Sequence, residues 1–177
     1  MLFDLENESL KQEENEAMNE EIVTTSPFEY EGNEMPECEE EIIREFEADD
    51  KHLHDVLAFL EEELEKHEAG LKQTMAMTLS LEEAFVNVAH YAYEGQEEGT
   101  GKVWIRLAFD GDNVDITLLD DGMEFDPLAK EDPDIKSEVH HRKIGGLGIY
   151  MIKKSMDSVR YKRNGRWNIL TMGKKFR

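Results

Sequence analysis

Apolar residues return at helical intervals in two stretches of the chain and alternate in several others. Leu53, Val56, Leu57, Leu60 and Leu64 share one face of a helix, which predicts an amphipathic helix over 51–67, capped by Asp49 or Asp50 and ended near Gly70. Leu81, Phe85, Val88 and Ala92 form the buried stripe of a second helix over 71–94. Residues 102–109 (KVWIRLAF) and 113–119 (NVDITLL) alternate as strands do, and Gly111-Asp112 between them suits a hairpin turn. Residues 41–47 (EIIREFE) read as a short leading strand, and 158–163 with 167–175 as a closing hairpin around Asn164-Gly165. A helix over 147–156 starts directly after Gly145-Gly146. The polar stretch 120–144, interrupted by Pro127 and Pro133, is too long for a tight connection and reads as a functional lid or a disordered loop. The order β, α, α, β, β, lid, α, β, β predicts a two-layer α/β sandwich: a mixed, mostly antiparallel sheet with helices on one face.

Charge divides the chain in two. Residues 1–50 hold 19 acidic residues against Lys11 and Arg44, whereas the remainder holds 23 acids against 18 bases. With Pro27 and Pro36 breaking any long helix, residues 1–39 read as an acidic, disordered tail ahead of a domain over 40–177. A second reading makes the tail a docking or autoinhibitory arm, anchored by Leu2, Phe3 and Leu5 or by Phe28 and Tyr30. Such an acidic leader repels phosphate backbones, so nucleic acid is not expected as a partner. Cys38 is the single cysteine, which excludes a disulfide within the chain. The first residues turn acidic at once, unlike a signal peptide, and no apolar run approaches the roughly 20 residues a membrane span needs. A cytoplasmic protein without membrane attachment is expected.

Four stretches carry candidate chemistry. Glu83 and Asn87 lie four residues apart on one helical face, away from the apolar stripe. An amide oxygen suits Mg²⁺, and a neighbouring carboxylate can take a proton from an attacking hydroxyl. Asp120, Asp121 and Gly122 follow an apolar strand. A carboxylate there can accept from an exocyclic amine, and a glycine beside it admits a flat ring. Gly145, Gly146 and Gly148 surround Leu147 at a helix start, where bare N–H groups favour phosphate. Thr171, in the last strand, is a candidate to point its hydroxyl to the pocket of Asp120. Each stretch alone has a plain structural alternative: a solvated helix face, an Asp-Gly turn, a helix start, a strand threonine.

In this order, EEAFVNVAHYAY, DDGMEFDPL, GGLGIYMIKKSMDSVRY and NILTM resemble the ATP-binding domain of gyrase, heat-shock chaperones and histidine kinases, the GHKL fold. The resemblance is closest to its small bacterial branch of anti-sigma-factor serine/threonine kinases and HATPase_c_2-like regulators, over roughly residues 40–177. It implies ATP and Mg²⁺, with Glu83 as general base and Asn87 as metal ligand. It further implies Asp120 as the reader of the adenine amine with Gly122 beside it, Gly145, Gly146, Leu147 and Gly148 as the phosphate loop, and Thr171 in the adenine water network. Two positions depart from the family pattern: Glu124 replaces the second glycine of the Asp-x-Gly-x-Gly box, and Tyr91 stands where a histidine often follows the metal asparagine. The implied partners are a STAS-type anti-sigma-factor antagonist and a sigma factor, with a homodimer as the candidate assembly.

Three functions fit this resemblance. One is a protein serine/threonine kinase acting on the small antagonist. Another is a non-catalytic switch whose partner-binding surface depends on ATP. The third, a detached histidine-kinase domain, needs a dimerisation helix pair, and His52, His54 and His67 lie on or near a single short helix. His140-His141-Arg142-Lys143 forms a basic run that can meet phosphates on lid closure.

Overall fold

A computed structural model describes residues 27–29, 35–96, 100–129 and 147–177. Five strands form one sheet in the order β1-β2-β3-β5-β4: β1 (Glu40–Glu47), β2 (Lys102–Asp110), β3 (Asn113–Asp120), β4 (Ser158–Asn164) and β5 (Trp167–Lys175). All four ladders are antiparallel, the limiting case of the mostly antiparallel sheet expected from the sequence. Among the described residues three α-helices accompany the sheet: α1 (Leu53–Lys66), α2 (Leu71–Asn87) and α3 (Leu147–Ser155). Gly-X turns close both hairpins. Gly111 and Gly165 adopt φ of 57° and 56°, a left-handed conformation that costs glycine nothing. The second turn sits one residue later than the Asn164-Gly165 reading, because Asn164 still pairs with Trp167.

Alternation along the strands sorts side chains onto two faces. Val103, Ile105, Leu107 and Phe109 of β2 and Val114, Ile116 and Leu118 of β3 pack beneath the apolar stripes of the helices. Val56, Phe59, Leu60 and Leu64 supply α1's share, Met77, Leu81 and Phe85 that of α2, and Ile152 that of α3. Most of these side chains are fully buried, each contributing about 1.5–3 kcal/mol relative to exposure. A smaller cluster occupies the outer face: Leu119, Trp167 and Ile169, with Trp104 and Ile43 beside them.

Phe28 and Met35 pack on that outer cluster. Buried Arg106 ties the same segment down, donating from Nε to Glu41 (2.6 Å) and from Nη2 to the Pro36 carbonyl (3.2 Å). Residues 27–29 and 35–39, read from composition as part of a disordered tail, thus cover the outer face. Phe28 is one of the anchors of the arm reading, whereas Tyr30 and the anchors near the N-terminus lie outside the described residues.

The end of α1 differs from expectation as well. Glu68, not Gly70, takes the left-handed conformation (φ 56°). The N–H of Ala69 bonds the Leu64 carbonyl and that of Glu68 the Glu65 carbonyl, a Schellman arrangement. Gly70 instead begins α2, where its N–H reaches Phe176 O. Asp49 caps the first turn through the Lys51 N–H at 2.9 Å. Among the described residues no helix is long and apolar enough to cross a membrane.

Candidate nucleotide cleft

An open cleft lies at the end of the sheet where β3 finishes and α2 ends. Ala84, Val88, Ala92, Met123, Ile149 and Leu170 give it apolar walls, and Asp120, Asn168 and Asn87 supply polar groups. That combination, mostly apolar with a few convergent polar atoms, characterises small-molecule sites.

Asp120 is the last residue of β3 and only 5% exposed. Its Oδ1 accepts from Asn168 Nδ2 (2.8 Å) and from the Gly122 N–H (3.0 Å). Oδ2 has no hydrogen-bond partner among the described residues, yet no buried side-chain oxygen there lacks one. Oδ2 therefore faces open space, and the cleft is where Asp120 meets it. Burial pushes the Asp120 carboxyl above the ordinary carboxylate range. The bonds from Asn168 and Gly122 and the nearby Arg163 charge oppose that shift, while the Asp121 charge adds to it.

The sequence alone marks no role for Asn168, although it opens the NILTM stretch. The ladder register sets it directly opposite Asp120. Thr171 fares differently. Three residues from Asn168, it points to the other face of the sheet, where its Oγ1 lies 3.1 Å from Thr117 Oγ1. The expectation that Thr171 shares the pocket of Asp120 is corrected accordingly: period-two alternation separates them, and Asn168 takes the place beside Asp120.

Gly122 is needed for a different reason from the one expected. A Cβ there would overlap the Ala92 carbonyl and lie 2.6 Å from the Ala92 Cβ. The loop after β3 thus lies directly on the end of α2, and the Met123 N–H bonds the Ala92 carbonyl at 2.7 Å. The space beside Gly122 is filled by protein, and the residue does not line the cleft. Tyr93 braces the same loop: its hydroxyl donates to the Lys102 carbonyl (2.5 Å), accepts from the Asp121 N–H (3.3 Å) and lies 3.0 Å from Asp121 Oδ1. Burial, together with the charges of Asp120 and Asp121, pushes its phenol well up.

After Asn87 the helix widens into a π-helical stretch over Val88–Ala92. Such interruptions favour functional sites because they redirect side chains by part of a turn. Here the widened stretch gives the cleft Val88, Tyr91 and Ala92, whereas His90 pairs with Asp50 at 2.6 Å on the surface. Asn87 donates from Nδ2 to the Glu83 carbonyl (2.7 Å), which leaves its Oδ1 with no partner among the described residues. An amide oxygen held this way fits one coordination position of Mg²⁺. Among the described residues no group of three His, Cys, Asp or Glu side chains is placed to hold a metal ion.

Glu83 does not line the cleft. Its carboxylate rests against the first turn of α3, and a Cβ at Gly148 would overlap Oε2 and lie 3.0 Å from Cδ. Leu147 is 56% exposed at the same helix start. Gly145, Gly146 and the basic run 140–143 lie outside the described residues. Of the residues singled out from the sequence, Asn87 and Asp120 meet in the cleft. Glu83, Leu147 and Gly148 lie near it at the start of α3, and Gly122 and Thr171 stand outside it.

The model of the histidine kinase-like ATPase domain matches residues 46–174, and the chain belongs to that family. It is similar to the serine-protein kinase RsbW of Bacillus cereus strain AH187, 32% identical over 87 residues, covering 47% of this chain and 52% of that protein. RsbW of Listeria monocytogenes serovar 1/2a is 25% identical over 88 residues, covering 48% and 55%. The chain spans about half the length of the curated relatives it matches. Among solved structures it resembles the RsbU and RsbW domains of a Mycobacterium tuberculosis protein, with TM-score 0.57 and 16% identity over 77% of this chain and 32% of that one. It also resembles the SiaB-SiaC complex of Pseudomonas aeruginosa, with TM-score 0.52 and 15% identity over 75% and 88%. These two structural likenesses establish the fold.

Proposed function

We propose that the cleft binds Mg-ATP and that the chain is an anti-sigma-type serine/threonine kinase acting on a small STAS-type antagonist. The carrying observation is the Asp120 carboxylate: a buried group at the floor of an apolar cleft, with one oxygen saturated by protein donors and the other open. An acceptor in that setting selects a flat apolar ring bearing an amine. The similarity to serine-protein kinases named RsbW supports phosphotransfer as the activity.

In this reading Asp120 Oδ2 accepts from the adenine amine and the apolar walls exclude water from the ring. The first turn of α3 presents backbone N–H groups to the phosphates. Asn87 Oδ1 would hold Mg²⁺, which would supply charge neutralisation of the phosphates. Glu83, released from its contact with Gly148, takes the proton of the partner's serine hydroxyl. The serine oxygen then bonds the γ-phosphorus as the bond to the β–γ bridging oxygen breaks, and ADP leaves. Glu83→Ala is expected to abolish transfer while leaving ATP affinity unchanged, measured by phosphoprotein formation beside calorimetric titration. Retained transfer would remove Glu83 as the base.

One observation favours a second reading, an ATP-dependent switch without turnover. Glu83 is packed on α3 rather than on the cleft. Under that reading partner affinity changes with nucleotide, but no phosphoprotein forms with the wild type.

A further inference from the structure

We propose that Tyr93 is a positioning residue of the cleft: its hydroxyl holds the loop after β3 in the place from which Met123 and Phe125 wall the Asp120 end. The inference rests on the nucleotide reading above and adds to it a residue that does not itself line the cleft.

β3 ends at Asp120, and the chain leaves the sheet through Asp121 and Gly122. Met123, Phe125 and Pro127 follow, and all three line the cleft. Residues 121–129 contain no helix or strand, so no ladder fixes their backbone and the course of the loop depends on the bonds at its start. Those bonds come from two sides. On the β4–β5 side Arg163 and Asn168 hold the carbonyls of Gly122 (3.2 Å) and Met123 (3.0 Å). On the helix side the Ala92 carbonyl accepts from the Met123 N–H (2.7 Å), and the Tyr93 hydroxyl accepts from the Asp121 N–H (3.3 Å).

Tyr93 follows the π-helical stretch Val88–Ala92 directly. Its hydroxyl also donates to the Lys102 carbonyl at 2.5 Å, so one oxygen joins the helix end, the start of β2 and the loop. The ring is fixed from behind: a Cβ at Gly101 would lie 2.3 to 2.7 Å from three of its carbons. Burial and the charges of Asp120 and Asp121 push the phenol up, so the hydroxyl keeps its proton and its role as donor at neutral pH. Without the hydroxyl, the Asp121 N–H loses its acceptor and the Asp121 carboxylate, 3.0 Å from that oxygen, meets an apolar ring edge. Both changes favour water over the present seat of Asp121, and the start of the loop moves outwards.

The consequence falls on the wall. Met123 is 50% exposed and Phe125 38% exposed, large apolar side chains held open at the cleft. A flat ring that enters covers them, and the gain is greatest when they are already in place. A loosened loop must be ordered at the moment of binding, which lowers affinity for the base and leaves the metal end untouched.

The test is calorimetric titration of the full chain with ATP, once with Mg²⁺ and once with EDTA, beside denaturant titration of the same samples. Tyr93→Phe should lower ATP affinity at least threefold, by the same factor in both conditions. Gly101→Ala, which pushes the ring from outside the cleft, should lower it as well and serves if the phenylalanine variant does not fold. The double variant should lose no more than the weaker-binding single variant, because both act through one hydroxyl. Reduced stability with unchanged ATP affinity makes Tyr93 merely structural and overturns the proposal, as does a loss seen only with Mg²⁺. Absence of ATP binding by the wild type in both conditions overturns the nucleotide reading and this inference with it.

Discussion

The two ends of the cleft are built on different terms. At the Asp120 end every contact is made by a strand, a backbone carbonyl or a saturated side chain: Asn168 makes four hydrogen bonds, and the Gly122 loop lies on the Ala92 backbone. At the Glu83 end the contacts belong to the tips of flexible side chains. Among the described residues Asn87 has one side-chain bond, to a carbonyl of its own helix, and the Glu83 carboxylate abuts Gly148. Under the proposed function, a rigid end for the base beside an adjustable end for the phosphates suits a site that holds one ring while the group beyond it reacts and leaves.

The comparison can be broken most directly at Asp120. Asp120→Asn keeps an oxygen for Asn168 and Gly122 but turns an amide nitrogen towards the cleft. Removing a hydrogen bond to a charged acceptor is worth about 1.5–3 kcal/mol, so ATP affinity should fall roughly 10- to 150-fold by calorimetry. The same variant should be more stable than the wild type at neutral pH. Burial raises the folded-state pKa of Asp120, so on acidification the folded chain takes up this proton before the unfolded chain does. Its penalty is full above the folded pKa and fades as pH falls towards the ordinary value near 3.8. Melting temperatures of the two proteins should therefore converge in acid, and wild-type ATP affinity should fall over the same range while the variant's residual affinity stays flat. A wild type more stable than the variant at pH 7 would contradict the burial argument.

A smaller effect distinguishes the two glycines. Gly122→Ala drives a Cβ into the Ala92 backbone, which cannot move alone, and should cost about 1–3 kcal/mol in denaturant titration. Gly148→Ala drives one into the end of the Glu83 side chain, which can change rotamer. Its stability should stay within about 1 kcal/mol, since alanine also favours the helix. Phosphotransfer should drop because Glu83 is displaced, with ATP affinity retained. Equal destabilisation by both substitutions would erase the distinction between the ends.

Local periodicity revealed the helices and strands because each buries one face, and the apolar spacing records which. Asp120 stands out in the sequence as an acid closing an apolar strand, and Asn87 as the residue four from Glu83 on a helical face away from the apolar stripe; both line the cleft. What local spacing does not hold is the register between strands distant in sequence. Asn168 faces Asp120 only because β5 pairs with β3, and the same register turns Thr171 towards Thr117. The role of Gly122 depends on the π-helical stretch that brings Ala92 beneath it, and no residue pattern in VAHYA announces that widening. Phe28 stood out among acidic neighbours as a candidate anchor, but the apolar outer face that receives it is assembled from four strands.

That outer face has a spectroscopic consequence. The chain holds two tryptophans, and Trp104 and Trp167 meet there edge to face, with ring centroids 5.6 Å apart. Phe28 and Met35 lie over them, and the cleft opens on the opposite side of the sheet. Intrinsic fluorescence is therefore a gauge of whether the acidic segment is seated, and it is largely blind to what occupies the cleft.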